Sequence, residues 1–110
     1  MVYCVQAQLA FRNTARRDAV SANIQTRIAQ ATTWGPVYRT DITTDAGDPA
    51  VTLEVRFATK AEQDSAWADI QNYVGTGVNG PLTGSELTRH DCPHDEEHPY
   101  PCVIAERRDW

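Results

Sequence analysis

Twice in this chain an alternation of apolar and polar residues ends on a phenylalanine and passes, within a few residues, into a helical pattern. In residues 2–11, VYCVQAQLAF, the side chains of Tyr3, Val5, Ala7, Leu9 and Phe11 fall on one side and Gln6 and Gln8 on the other. That is the period of a strand with one buried face. In residues 50–57, AVTLEVRF, Val51, Leu53, Val55 and Phe57 alternate with Thr52, Glu54 and Arg56. Phe11 is followed at +4 by Ala15 and at +7 by Asp18, and Phe57 likewise by Ala61 and Asp64. A strand with one apolar face and an amphipathic helix behind it must bury those faces together. Two such units in 110 residues leave few architectures open.

The first helical pattern runs from Ala15 to Ala31, with Thr14 as its expected N-cap. Val20, Ile24, Ile28 and Ala31 form one stripe, and Arg16, Arg17, Asn23, Gln25, Arg27 and Gln30 can face water. The second follows Thr59 and Glu62, which have the spacing of a capping box, and runs from Lys60 to about residue 74 with Ala66, Trp67, Ile70, Tyr73 and Val74 on its apolar face. Between the two units, Trp34-Gly35-Pro36 breaks the pattern. Residues 37–44, VYRTDITT, are β-branched, and Asp45 to Pro49 are turn residues, so strands two and three should form a hairpin. Residues 75–84 are a glycine-rich loop, 85–90 a short fourth strand, 91–101 a polar stretch with three prolines, and 102–106 a last short strand.

The order strand, helix, strand, strand, helix, strand predicts a single α+β domain over 1–110. The expected fold is a ferredoxin-like βαββαβ sandwich, an antiparallel sheet with two helices on one face, with residues 91–110 as a Cys/His-containing loop and tail. Its expected core is Val5, Leu9, Ile24, Ile28, Leu53, Val55, Phe57, Trp67 and Ile70.

Ten basic and fifteen acidic residues give a net charge of −5, which opposes binding to a phosphate backbone. Gln6, Gln8, Thr52, Glu54 and Arg56, on the outward faces of strands one and three, are also a poor match for stacking on bases, so no nucleic-acid partner is expected. No apolar run is long enough to span a bilayer, and Met1 leads into strand alternation without an export signal, so the expected compartment is the cytoplasm. Three cysteines there should be free thiols or a metal site.

The chemistry-bearing types gather in one segment, H-D-C-P-H-D-E-E-H-P-Y-P-C, which holds every histidine and two of the three cysteines. Zinc takes thiolate and imidazole ligands in a tetrahedron. His90, Cys92, His94, His98 and Cys102 are five candidates for it, with Cys92, His94 and Cys102 central. The spacing is not that of a zinc finger or ribbon. Two other readings stand beside it: a disulfide between Cys92 and Cys102, and a solvated polar loop. Asp95-Glu96-Glu97 reads as solvated charge rather than catalytic carboxylates. Cys4, on the outward side of strand one, reads as a small structural residue, and Arg12, Arg16 and Arg17 as solvated helix residues rather than an anion site. The chain contains no G-x-S-x-G, P-loop or dinucleotide fingerprint.

The features F-x-x-x-A-x-x-D, V-R-F-A-T-K-A-E-Q-D-S-A-W at 55–67, and R-H-D-C-P-H-D-E-E at 89–97 closing with P-C-V-I together resemble small uncharacterised proteins of actinobacterial phages. That resemblance implies a viral gene expressed in a bacterial cytoplasm, carries no functional residues, and leaves a place in the virion open. The expected function is a non-enzymatic module that binds a protein partner or itself, in virion assembly or against a host protein. The alternative is a small dimeric α+β-barrel enzyme, of monooxygenase or isomerase type, with a polar pocket between sheet and helices.

Overall fold

The structure, a computed structural model, describes residues 2–30, 34–92 and 102–110. It contains β1 (Val2–Ala10), α1 (Thr14–Ala29), β2 (Val37–Thr44), β3 (Ala50–Phe57), α2 (Lys60–Val74), β4 (Glu86–Cys92) and β5 (Val103–Asp109), with one turn of 3-10 helix at Gly77–Asn79. The strands form one antiparallel sheet in the order β2-β3-β1-β4-β5. The α+β architecture expected from the sequence is the one observed. The fifth strand extends the sheet beyond β4.

Alternation decides which residues face the helices. Val5 lies opposite Val55 and Ala7 opposite Leu53 across β1 and β3, while Ala7 lies opposite Leu87 across β1 and β4. These residues form one buried cluster with Val20 and Ile24 of α1 and Ala66, Trp67, Ile70 and Val74 of α2, so both helices cover the same face. Every expected core residue belongs to this cluster except Ile28, which is partly buried at its rim. Among the described residues no helix is long and apolar enough to cross a membrane.

Several side chains outside the periodic patterns complete the packing. Trp34 is 1% exposed, stands edge-on to Phe57 at 6.2 Å, and donates its indole N–H to Asp69 at 2.8 Å. The N-cap of α1 is Asn13 rather than Thr14. Asn13 is the last extended residue, and its side-chain oxygen accepts from the Arg16 N–H at 2.8 Å. Arg16 and Arg17 also depart from a solvated reading. Arg16 reaches across to the end of α2, donating to the carbonyls of Tyr73 and Val74 at 3.1 Å and to that of Asn79 at 2.6 Å. It thereby satisfies helix-terminal carbonyls and places a cation at the negative end of the helix. Arg17 is buried and donates to the carbonyls of Asp45 and Asp48, fixing the β2–β3 turn to α1. Gly75 ends α2 at φ +72, a backbone conformation that favours glycine.

The last strand runs to Asp109, past the expected 102–106. Arg107, Arg108 and Asp109 read as a tail in sequence, yet they pair with Thr88, Leu87 and Glu86. Charge on an edge strand blocks further strand addition, which is why such a strand lacks an apolar signature.

Trp67 is 7% exposed and its indole N–H donates to Glu106 at 3.1 Å, tying α2 to β5. Trp67→Ala should therefore destabilise the fold by about 3–5 kcal/mol in urea unfolding. A loss below about 1 kcal/mol, the level of an ordinary surface substitution, would contradict this packing.

Candidate functional site

The face of the sheet turned away from the helices carries the polar side chains. The registers place Cys4, Gln6 and Gln8 of β1 beside Arg56, Glu54 and Thr52 of β3 on one side, and beside His90, Thr88 and Glu86 of β4 on the other. Arg39, Asp41 and Thr43 extend the rows onto β2, and Ile104, Arg107 and Asp109 onto β5. A groove of about 380 Å³ runs over the middle of this face, lined by amides, hydroxyls and the carboxylates of Asp41, Glu54 and Glu86. Gln6 donates to Glu54 at 2.7 Å, and the Arg56 guanidinium binds the other oxygen of the same carboxylate. Arg39 pairs with Asp41 at 2.9 Å and Arg107 with Glu86 at 3.6 Å, both through side chains well exposed to solvent.

At one end of the face lie three sulfurs. Cys92 and Cys102 are joined by a disulfide, with Cα atoms 4.7 Å apart. Val2 lies opposite Cys92 across β1 and β4, so Cys4, two residues along, shares the face of Cys92. Its Sγ is 3.7 Å from Cys92 Sγ, and Val2, Cys4 and Cys92 form a small apolar cluster against which Cys102 packs. Burial pushes the Cys4 thiol up to about 11.

His90 sits beside this cluster. Its Nε2 is 2.7 Å from the Thr88 hydroxyl, and the ring also hydrogen-bonds the Cys102 backbone. Burial lowers its pKa below the ordinary 6.5, an effect that the hydrogen bond to Cys102 partly opposes.

The five residues expected to ligate zinc are only partly among those described. Of the five expected zinc ligands, His94 and His98 lie outside the described residues, as do Asp95, Glu96 and Glu97. Cys92 and Cys102 are bonded to each other, and a sulfur in a disulfide offers no thiolate. The His90 ring is engaged by Thr88 and Cys102. Among the described residues no group of three or more His, Cys, Asp or Glu side chains is placed to hold a metal ion. The bridge, weighed beside zinc in the sequence, is what the structure contains. It also departs from the free thiols or metal expected of a reducing compartment, because β4 and β5 pair directly and bring the two cysteines within bonding reach. The sequence reads Cys4 as a small structural residue. Its side of the strand was legible, but its nearness to Cys92 depends on a pairing between residues 88 positions apart.

Two outcomes follow. Reduction should destabilise the protein by about 2–3 kcal/mol, the value for a loop of this length, and lower its Tm, whereas a chelator should leave Tm unchanged. The depressed His90 pKa makes the folded state prefer neutral imidazole. The stability it contributes is complete above pH 6.5 and is lost as the pH falls below that value toward the folded pKa. An NMR titration should find the His90 midpoint below 6.5, and His90→Gln should flatten the fall in stability over that window.

No protein-family model and no curated protein matches the chain. Among solved structures it is similar to that of Rv0793 from Mycobacterium tuberculosis, with a TM-score of 0.60 and 18% identity over 89% of this chain and 100% of the other. At that identity the likeness is one of fold.

Proposed function

We propose that the chain is a non-enzymatic binding module that associates with a second copy of itself through the open face of its sheet. The observation that carries this reading is the charge layout of that face. Arg39 and Arg107 flank it on β2 and β5, while Asp41, Glu54 and Glu86 line the groove between them. A two-fold related copy laid across these rows sets the flanking arginines of one protomer against the carboxylates of the other. The exposed pairs Arg39–Asp41 and Arg107–Glu86 exchange partners at small cost, because a solvated ion pair contributes little by itself. The exposed Ile104, in the row of His90 on β5, supplies apolar contact.

An enzyme of the alternative type needs a polar cavity between sheet and helices. Here that space is filled by the apolar cluster around Phe57 and Ile70, and the groove of about 380 Å³ lies on the other side of the sheet. The resemblance to small phage proteins agrees with an assembly module acting in the virion or against a host protein.

Sedimentation over a wide concentration range tests the reading. A reversible dimer is expected, weakening as salt is raised, since exposed charges are screened. The variant Gln8→Arg adds bulk and charge at an exposed position of the groove, and should abolish the dimer while the monomer keeps its native near-UV circular dichroism. A single monomeric species at every concentration and salt would overturn the proposal.

A further inference from the structure

The three sulfurs carry an inference independent of self-association. We propose that Cys4, Cys92 and Cys102 form an internal exchange relay, in which Cys4 displaces Cys102 from Cys92 and moves the disulfide from the β4–β5 edge to the centre of the sheet. The geometry supports this in three ways. First, the Cys4 and Cys92 sulfurs are already in contact at 3.7 Å, so nucleophile and target are held together before reaction. Second, the sulfur that Cys4 touches is that of Cys92, which makes Cys102 the leaving group. Third, Cys4 and Cys92 are each 1% exposed, whereas Cys102 is only partly buried. Cys4 is therefore shielded from outside thiols and disulfides but not from this bridge, and the displaced sulfur is the one that solvent reaches.

The step is balanced without an external oxidant. In the small fraction of molecules in which hydroxide has taken the Cys4 proton, small because burial pushes that thiol up to about 11, the thiolate sulfur attacks Cys92 Sγ. The Cys92–Cys102 bond breaks, its electron pair leaves on Cys102 Sγ, and that thiolate takes up a proton. One disulfide and one thiol are present before and after.

The two bridged forms differ in what they restrain. The Cys92–Cys102 bridge fastens the start of β5 to the end of β4. A Cys4–Cys92 bridge would join β1 to β4, strands that the ladder already pairs, and would leave the start of β5 without a covalent link. The freed Cys102 thiol would stand next to Val103 and Ile104, which are 66% and 45% exposed. The relay thus converts a buried thiol into an accessible one at the sheet margin, where it can exchange with a disulfide of another protein.

The test maps the bridges directly. Native protein is held at mildly alkaline pH, quenched with acid at intervals, alkylated in denaturant, digested and analysed by mass spectrometry. At the first point the label should lie on Cys4. With time it should move to Cys102 as a Cys4–Cys92 cross-linked peptide appears, at a rate independent of protein concentration. Cys4→Ser should abolish labelling at Cys102. As a second measurement, Cys102→Ser treated with glutathione disulfide should close a Cys4–Cys92 bond and release two equivalents of glutathione. Label confined to Cys4 at every time, or a Cys102→Ser variant that holds glutathione on Cys92 beside a free Cys4, would overturn the relay.

Discussion

One buried amide ties the helix layer to the two strands that carry Cys4 and His90 on the open face. Gln63 of α2 is fully buried, and its amide N–H groups donate to the backbone carbonyls of Cys4 and His90, both at 3.0 Å. Its own carbonyl accepts from Lys60 at 3.1 Å. Cys4 and His90 lie opposite each other across β1 and β4. One residue therefore sets the helix on the sheet at the register position where the sulfur cluster begins. A buried amide left without partners costs about 1–3 kcal/mol, so a slide of α2 along the sheet is opposed by polar satisfaction as well as by packing. The thiol and the imidazole turned to the other side inherit their positions from that helix.

The elements that local physics decides were legible in the sequence. Strand alternation at 50–57 and the Thr59–Glu62 box mark β3 and α2 because each signal is complete within a few residues, and both appear where expected. What was not legible depends on contacts between distant residues. Trp34 sits outside any periodic pattern and is buried only because Phe57 and Asp69 converge on it. Arg16 and Arg17 look like solvated helix residues until the ends of α2 and of the β2–β3 turn come within reach of their guanidiniums. The second half of β5, from Arg107 to Asp109, is hidden by its charge. In the candidate site, the cysteine pair was legible as one of several readings, while the third sulfur was not, because no local rule relates residue 4 to residue 92.

The bridge and the ion pairs on the open face constrain the molecule differently. Exposed pairs such as Arg39–Asp41 can trade partners with little change in free energy, so they set orientation and specificity more than strength. The disulfide acts on the unfolded chain by limiting its conformations, whatever the face is bound to. Its placement beside a buried thiol joins the two behaviours: a covalent restraint at the margin of the surface, with an alternative partner already in contact.

The position of β1 has a consequence for how the chain must assemble. It is the central strand, yet its neighbours β3 and β4 begin only at Ala50 and Glu86. As the chain emerges during synthesis, β1 has both edges unpaired until the second half arrives, and pairings that close such long loops form slowly. During that interval the N-terminal cysteine is not yet shielded by its neighbours. Which two of the three cysteines become bonded is then a race between oxidation and burial: late oxidation finds Cys4 already enclosed, whereas early oxidation can draw on all three thiols. The redox history of the nascent chain thus decides whether its covalent tie lies at the edge of the sheet or at its centre.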